Sequence, residues 1–434
     1  MFQKGSKKDI RAWAFYDWAN SVYSLVISSA IFPIYFENVA GASGQKLMFF
    51  GQEMDHTALY SYSLSLSFLI VAIISPILSG IADYTGSKKG FMKFFCYLGG
   101  ISVMSLFFFD SVETVWVGVV FSVLASVGFW GSLVFYNAYL PEVAFPDQQD
   151  KASAQGFIYG YIGSLLLLGF NLFMVMSPDT FGIESSTLPS RISFVMVGLW
   201  WIGFAQVTFS RLPSNPHKRK PKADYIFRGW KELKKVALEV WQTNALKKLL
   251  LGFFSYSIGV QTIILLATVY GSKELGMEAS QLIVTILMVQ VWGIIGAYIF
   301  AKVSKRLGNL TALKITIVFW ATACVIAYFL NANDPNLILK FYGLGAMIGL
   351  CLGAIQTLSR STYSKMIPED SFDTATYFSF FDVTEKIAIV LGTAIFGGVI
   401  ALTGSMRLSI LILAVFFVIG FVILGTIKGT KYVK

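Results

Sequence analysis

Three ionisable residues lie within about one helical turn of each other in an otherwise apolar stretch of the chain. Asp382, Glu385 and Lys386 have the spacing i, i+3 and i+4, so on a helix Asp382 faces both of the others. One carboxylate is left over once Lys386 has paired with the other. Because charges inside a membrane are costly and mark functional sites, we predict that Asp382 or Glu385 carries a coupling proton. The alternative is a structural triad that locks this segment to a neighbour.

A second group of polar residues combines the first apolar stretch with a later one. Asp17 and Asn20 share one helix face and are candidates for contact with a substrate. Arg360 is the only arginine placed to line a cavity, and its guanidinium could hold a carboxylate or phosphate through two hydrogen bonds. The alternatives are a gate contact between Asp17 and Arg360, and an arginine that faces water at the membrane surface.

Amides and phenols near the middle of other apolar stretches predict a polar lining. In a membrane such groups also form hydrogen bonds between helices, so both roles are open. The residues concerned are Asn171, Tyr256, Gln261, Gln290 and Gln356. Of these, Gln261 and Gln356 are the candidates for contact with a substrate.

The segments that must position these residues are membrane-spanning helices. Of the 434 residues, 56% are hydrophobic and 13% are charged, and stretches such as residues 411–424 are apolar on every face. A helix needs about 20 such residues to cross a bilayer, whereas the strands of a membrane barrel alternate apolar and polar residues. The sequence therefore predicts an all-α integral membrane protein with twelve transmembrane helices, spans 1 to 12. We place them at residues 12–36, 60–81, 91–109, 115–139, 155–176, 191–210, 248–270, 281–301, 312–330, 339–360, 375–401 and 406–427.

Basic residues in the loops predict the orientation of these spans. With the N-terminus inside, the cytoplasmic segments hold 28 of the 34 lysines and arginines, the outer loops hold 5, and Lys386 lies within span 11. Because cytoplasmic loops are enriched in Lys and Arg, both termini are predicted to be cytoplasmic, at the plasma (inner) membrane if the source is a prokaryote. Attraction to anionic lipid accounts for the net charge of +10, and no nucleic-acid partner is expected.

The twelve spans divide into two halves that resemble each other. In span 4, Tyr136 stands five residues before a Pro-Glu pair at 141–142 that is expected to end the helix, and in span 10, Tyr363 stands five residues before a second pair at 368–369. The predicted domains are a six-helix bundle over residues 1–211, a cytoplasmic basic linker over 212–247 and a second six-helix bundle over 248–434. Paired six-helix pseudo-repeats are a transporter architecture, with the substrate between them near the middle of the membrane.

The linker between the halves is predicted to contain an amphipathic helix. Residues 213–221 begin and end with proline and are not expected to be helical. After them, apolar residues recur at helical spacing between Lys and Arg, which suits a helix lying on the inner membrane surface. These apolar residues are Ile226, Trp230, Leu233, Ala237 and Trp241. The alternative is a linker that only spaces the two halves.

The loop between spans 2 and 3 resembles the signature loop of the major facilitator superfamily, in which Gly, Asp and Gly precede basic residues. The corresponding positions here are Ser79, Asp83, Gly86, Lys88 and Lys89, so the first glycine is replaced. In such a loop we expect the carboxylate to hold a neighbouring helix end, the glycine to make a tight turn and the lysines to anchor in the lipid headgroups.

The matching loop in the second half, residues 302–308, keeps the glycine but has Lys305 where an acid is expected. We expect a structural latch or gate, and not substrate contacts, from the residues of the first loop and from the two Pro-Glu pairs. This group comprises Asp83, Gly86, Lys88, Lys89, Glu142 and Glu369.

Three further stretches resemble one branch of this superfamily, the autophagy-related vacuolar effluxers. They are residues 14–21, which contain Tyr-Asp-Trp-Ala-Asn, residues 136–142 after span 4, and residues 358–369 at the end of span 10. The resemblance implies the twelve-helix major facilitator fold and, from the fungal members, export of amino acids.

The sequence as a whole predicts a secondary active transporter that moves a small solute by alternating access with proton or ion coupling. Its expected partners are a small-molecule substrate, membrane lipids and a coupling proton, and a monomer is expected. A channel or a lipid flippase or scramblase is the alternative, and a membrane-embedded enzyme would need a catalytic motif that we do not find. No cofactor or metal site is expected, because His56 and His217 both fall in polar connections.

Overall fold

A computed structural model describes residues 2–41, 47–49, 51–214 and 225–427 of the chain. Within these residues twelve helices are long and apolar enough to cross a membrane, which confirms the predicted twelve-helix fold. Span 1 runs over Lys7–Ala40. Spans 2 to 12 are His56–Thr85, Lys88–Ser105, Val115–Ala138, Pro146–Met176, Leu188–Arg211, Asn244–Lys273, Ala279–Leu307, Asn309–Phe329, Leu337–Met366, Thr374–Thr403 and Met406–Gly425.

The connections contain short elements and one longer helix. An antiparallel hairpin pairs Leu47–Phe49 with Gln52–Met54, and short helices occupy Leu106–Phe108, Val112–Thr114, Leu140–Val143 and Pro178–Phe181. Between spans 6 and 7 lies a helix over Tyr225–Gln242, which we name the surface helix. Residues 215–224 lie outside the described residues, and they include His217 and most of the segment expected to be non-helical. The last seven residues of the chain also lie outside them.

Span 1 changes its helix type part-way along its length. It is α-helical over Lys7–Val22, π-helical over Tyr23–Ile31 and α-helical again over Phe32–Ala40. Pro33 accounts for the change, because proline has no N–H to donate and its ring clashes with the carbonyl one turn earlier. In the wider turns the Ser29 hydroxyl donates to the Ser24 carbonyl at 2.8 Å. Such π segments are frequent at functional sites, and this one lines the cavity described below.

Some helix boundaries differ from those expected. Span 5 begins at Pro146 and span 10 ends at Met366, so each is longer than predicted by at least one turn. The added turns carry polar residues that hydropathy assigns to loops, and tertiary partners keep them helical. Span 4 ends at Ala138, just before the Pro-Glu pair at 141–142 as expected, and Pro141 then lies in the first turn of the separate short helix Leu140–Val143. Proline fits the first turn of a helix, where no intrahelical N–H bond is required.

Spans 8 and 10 approach each other along a face of small residues. A Cβ atom built on Gly349 would lie 2.8 Å from the Cα of Val289, and one on Gly353 would lie 2.8 Å from the carbonyl carbon of Gly293. No side chain fits in these positions without moving the backbone of span 8. The glycines therefore allow the two helices to pack backbone against backbone, as is common in membranes.

We expect Gly353→Ala to lower the melting temperature of the detergent-solubilised protein, because the added methyl group would force spans 8 and 10 apart. Gly343→Ala in the same helix is the matched control, since a Cβ there meets no atom within 4 Å. Alanine is favoured over glycine inside a helix by roughly 1 kcal/mol, so this control should leave stability unchanged or raise it. Equal melting temperatures for the two variants would contradict the close packing.

Candidate transport cavity and closed end

A cavity of about 280 Å³ lies between the first six and the last six spans. Its walls come from spans 1, 2, 4 and 5 on one side and from spans 7, 8, 10 and 11 on the other. Among the described lining residues, seven serines and five amide side chains supply hydrogen-bonding groups, and the charged residues are Asp17, Arg360 and Glu385. The predicted polar residues Tyr256, Gln261, Gln290 and Gln356 line it, and Asn171 does not.

The floor of the cavity is an ion pair between the two halves. Arg360 Nη1 lies 3.1 Å from Asp17 Oδ2, and the same carboxylate oxygen accepts a hydrogen bond from the Tyr136 hydroxyl at 2.8 Å. Arg360 also donates from Nε to the Ser153 hydroxyl (2.9 Å) and from Nη2 to the Ser153 carbonyl (2.8 Å). One guanidinium of span 10 thus connects directly to spans 1 and 5. It connects to span 4 through Tyr136 and through a hydrogen bond of 3.4 Å from Nη1 to Asn137 Oδ1.

The guanidinium is enclosed by aromatic rings as well as paired. Its central carbon lies 4.0 Å from the ring centre of Phe157 and 5.1 Å from that of Trp13, and the residue is only 3% exposed. Gly156 makes room for the arrangement, because a Cβ there would lie 2.9 Å from both Arg360 Nη2 and the Tyr136 hydroxyl. The structure therefore brings Asp17 and Arg360 into the contact that the gate hypothesis requires. The guanidinium of Arg360 is already bonded to Asp17 and Ser153.

The charged triad of span 11 lies beside the cavity. Lys386 Nζ is 3.0 Å from Asp382 Oδ1 and 3.4 Å from Glu385 Oε2. The other oxygen of Glu385 accepts a hydrogen bond from Gln261 Nε2 of span 7 at 2.7 Å. Asp382 Oδ2 is buried and has no hydrogen-bond partner among the described residues. Of the three charged residues only Glu385 lines the cavity, so it is the one within reach of a solute.

A tryptophan that the sequence analysis does not single out joins this triad to the other half. Lys386 Nζ lies 3.3 Å from the centre of the Trp130 ring, in span 4. An ammonium over an indole face is attracted to it, most strongly where water is excluded. Trp130 also lines the cavity. No spacing rule could reveal this contact, because the two residues lie in different halves of the chain.

The signature loop of the first half contacts the second half. Asp83 Oδ2 accepts hydrogen bonds from the backbone N–H of Thr376 (2.7 Å) and from its hydroxyl (2.8 Å), and Oδ1 accepts one from the N–H of Ala375 (3.2 Å). These N–H groups belong to the first turn of span 11, where helix donors lack partners and the helix dipole favours an anion. Gly86 has φ +71°, a left-handed conformation that glycine adopts without steric cost.

The expectation that both lysines of this loop anchor in the headgroups is wrong for Lys88. Its side chain is buried, its Nζ pairs with Glu142 and lies 3.5 Å from Asp83, and it donates to the Thr374 hydroxyl at 2.7 Å. Two carboxylates from separate elements compensate for the loss of water around the ammonium. Lys88 therefore belongs to the junction between the halves.

A second junction uses the same chemistry with the roles exchanged. Asp150, in the first turns of span 5, accepts hydrogen bonds from the Ser304 hydroxyl (2.9 Å) and the Asn309 amide (2.8 Å) and pairs with Lys365 (2.7 Å). Here span 5 supplies the carboxylate, and the donors come from the end of span 8, the start of span 9 and span 10. Lys305 can therefore stand where an acid is expected in the second half. Asp150 lies in a polar stretch between the predicted spans 4 and 5, so no charge in an apolar segment marks it in the sequence. Both junctions lie at the same end of the bundle, beneath the cavity floor. We name this end of the bundle the closed end.

The other predicted residues have separate positions. Asn20 lines the cavity, and its amide nitrogen has no hydrogen-bond partner among the described residues. Gln356 accepts a hydrogen bond from the Tyr161 hydroxyl of the first half at 2.7 Å. Lys89 donates to a backbone carbonyl at the end of span 6 at 2.8 Å, and Glu369 is exposed just beyond span 10.

Nearly the whole chain matches one family of membrane proteins. Residues 5–432 match the family described as vacuole effluxer Atg22 like. The chain belongs to this family. The uncharacterized MFS-type transporter YxiO of Bacillus subtilis (strain 168) is 31% identical over 427 residues, covering 98% of this chain and 96% of that protein. Autophagy-related protein 22 of Yarrowia lipolytica is 25% identical, covering 86% of this chain and 76% of its own.

Solved structures show the same fold for this Atg22-like chain. The major facilitator superfamily transporter FucP in its outward conformation has a TM-score of 0.71 at 14% identity, covering 98% of this chain and 99% of that one. The proton:xylose symporter XylE has a TM-score of 0.68 at 14% identity, covering 98% and 96%. The chain is therefore a multi-pass membrane protein with the major facilitator transporter fold, in its Atg22-like branch, as the sequence motifs predict.

We expect Asp17→Ala alone to cost about 3–5 kcal/mol of stability, because it leaves the guanidinium of Arg360 buried without its partner. The double variant Asp17→Ala/Arg360→Ala removes the uncompensated charge and should be less destabilised than the two single losses combined. Denaturant unfolding of the purified protein in detergent, run as a double-mutant cycle, measures the difference. If the losses in free energy of unfolding of the two single variants add up to that of the double variant, the two side chains do not interact.

Proposed function

We propose that this chain is a secondary active transporter that carries a small polar solute across the membrane by alternating access. The observation that carries the proposal is a cavity between two halves whose floor is the Asp17–Arg360 pair. At its far end, Ser29 and Leu265 are exposed, so the cavity opens away from the closed end. Rocking of two repeats about a central site is the general mechanism of such transporters.

The cavity favours a small solute that is neutral or zwitterionic. Its volume of about 280 Å³ is near the lower limit of the roughly 300–1,000 Å³ that is usual for ligand sites. Its hydroxyl and amide groups can donate and accept hydrogen bonds, which suits hydroxyl, amide or ammonium groups on a solute. Arg360 is the only cation among the described lining residues and is held by Asp17 and Ser153. An anionic solute therefore has no free positive partner.

Amino acids are the narrower candidate, which rests on the resemblance to the fungal vacuolar effluxers. An ammonium group would find Glu385 on the cavity wall. A carboxylate would have to draw Arg360 away from Asp17, and this competition would link solute binding to opening of the floor. Neutral hydroxylated solutes would bind without that step.

Coupling to protons is the second part of the proposal. The described charges around the cavity are the pair Asp17–Arg360 and the triad Asp382, Glu385 and Lys386, which together leave one negative charge when all are ionised. A proton on Glu385 or Asp382 neutralises it. The contact of Lys386 with Trp130 supports this role, because rocking of the halves would separate the two and change how strongly the triad holds a proton.

The membrane, the orientation and the assembly complete the proposal. The excess of basic residues in the loops supports an orientation with both termini and the closed end on the cytoplasmic side. We propose a monomer in the plasma membrane that is not an enzyme, with two six-helix domains and partners limited to a solute, lipids and a proton.

A thermal-shift screen of the purified protein against amino acids, peptides, sugars and phosphorylated metabolites tests the solute class, since a bound ligand raises apparent stability. We expect shifts from small neutral or zwitterionic compounds and none from phosphorylated ones. The solutes found are then offered to proteoliposomes, where they should accumulate against their gradient until a protonophore is added. Downhill flux that ignores the protonophore would indicate a channel and overturn the proposal.

We expect Glu385→Gln or Asp382→Asn to abolish proton-driven accumulation while exchange of solute at equal concentrations continues, because an amide cannot release a proton. The matched control is Glu184→Gln, an exposed acid outside the cavity, which should behave as wild type. Uptake is measured in proteoliposomes over a range of external pH. If the pH dependence of uptake is unchanged in both triad variants, neither carboxylate carries the coupling proton.

A further inference from the structure

The surface helix is held closely against the first half of the molecule. Backbone meets backbone at Gly229, where a Cβ would lie 2.9 Å from the nitrogen of Ile81 and 3.2 Å from the carbonyl carbon of Gly80, both in span 2. Val236 and Val240, on the inner side of the helix, are buried. The contact lies one turn before span 2 ends at the signature loop.

The same helix is also bonded to the second half. Lys235 Nζ lies 2.9 Å from Asp373, the residue before span 11, and this hydrogen bond raises the pKa of Lys235. One turn further on, Glu239 accepts a hydrogen bond from the Tyr377 hydroxyl at 2.6 Å. Thr376 lies between Asp373 and Tyr377 and is bonded to Asp83 of the first half. The surface helix therefore lies across the seam at which the two halves are joined.

The outward face of the surface helix combines large apolar and basic side chains. Trp230 is 58% exposed, Leu238 52% and Trp241 68%, and Lys231 and Lys234 between them are exposed. The spacing of 230, 234, 238 and 241 places these residues on one stripe. Tryptophan and lysine together are typical of helices that lie in the interface between lipid and water.

The position of this face relative to the membrane spans supports a lipid partner. Span 2 exposes apolar residues such as Leu69 and Ile73, but its residues 79–83 are buried. The surface helix covers span 2 where its exposed apolar belt ends. Its exposed face therefore continues the belt at headgroup level, where cationic side chains meet anionic lipid.

We propose that the exposed face of the surface helix binds anionic lipid headgroups, and that this lipid holds the helix across spans 2 and 11 and keeps the closed end shut. The lipid is thus a regulator of the alternating access proposed above. Only the effect of the lipid on the closed end rests on the proposed alternating access. Binding of the surface helix to lipid stands independently of transport.

The test compares the full-length protein in nanodiscs of phosphatidylcholine alone with nanodiscs that also contain phosphatidylglycerol. Spin labels at Lys151→Cys and Asp370→Cys, exposed residues of different halves at the closed end, report its opening as a distance. A separate label at Gln242→Cys reports the depth of the surface helix in the membrane. The native cysteines are buried and do not compete for the label.

We expect phosphatidylglycerol to increase the population with the short distance and to deepen the label on the surface helix. The double variant Lys231→Gln/Lys234→Gln should lose both effects. Removal of the two lysines should lower the ratio of docked to released surface helix on the order of 30-fold. Lys302→Gln/Lys305→Gln, exposed at the same end but away from the surface helix, should keep them. Glycerol phosphate added to phosphatidylcholine nanodiscs should have no effect, because a free phosphate does not bring a membrane surface.

Each contrary result has a separate meaning. An equal response of the two double variants, or an effect of glycerol phosphate, would overturn lipid binding by this face. A depth that responds to phosphatidylglycerol while the distance does not would overturn the control of the closed end. Neither measurement requires a transported solute, so failure of the proposed transport function would be seen separately in the uptake assays.

Discussion

A guanidinium that one helical bundle carries and the other bundle satisfies organises the centre of the molecule. Arg360 belongs to the second half, but the hydrogen bonds described for it end on Asp17, Ser153 and Asn137 of the first. A buried ion pair adds little net stability over an apolar contact, because desolvation of the charges offsets their attraction. The pair therefore defines one relative position of the halves without making it much more stable than the alternative. That property suits the floor of a cavity that opens and closes in the proposed alternating access.

The two junctions at the closed end show how a repeated fold can keep its geometry while its residues change. In one junction Asp83, in the last turn of span 2, binds the first turn of span 11. In the other, Asp150, in the first turns of span 5, binds the end of span 8 and the start of span 9. Either arrangement joins the region where two consecutive spans of one half meet to a helix start of the other half through a carboxylate. What has to be retained is one anion among several donors in a buried site, and the anion can come from either side. The exchange also accounts for Lys305 in the second loop.

The sequence predicts the fold because the requirement of a helix in lipid, about twenty apolar residues, is local and visible in one segment. It predicts candidates such as Asp17, Arg360 and the triad of span 11 for a similar reason, since a charge in an apolar stretch is conspicuous. It offers the Asp17–Arg360 contact as one alternative and the pairing within the triad, but it does not predict the other partners of charged residues. The polar loop around Lys88 predicts a headgroup position, whereas the burial of Lys88 depends on Glu142, a residue of another element. Trp130 has no charge to draw attention, and its contact with Lys386 arises only when the halves meet.

The cavity and the closed end are connected through span 11. Its first turn is held by Asp83 and by the surface helix, and its middle is held by the contact of Lys386 with Trp130. A helix fixed at these levels cannot release one contact and keep the others if it moves as a rigid body. Opening of the closed end would therefore take Lys386 from the indole face and alter the field at Asp382 and Glu385. The proposed proton site and the closed end would then need no separate signalling route, because the same helix carries both.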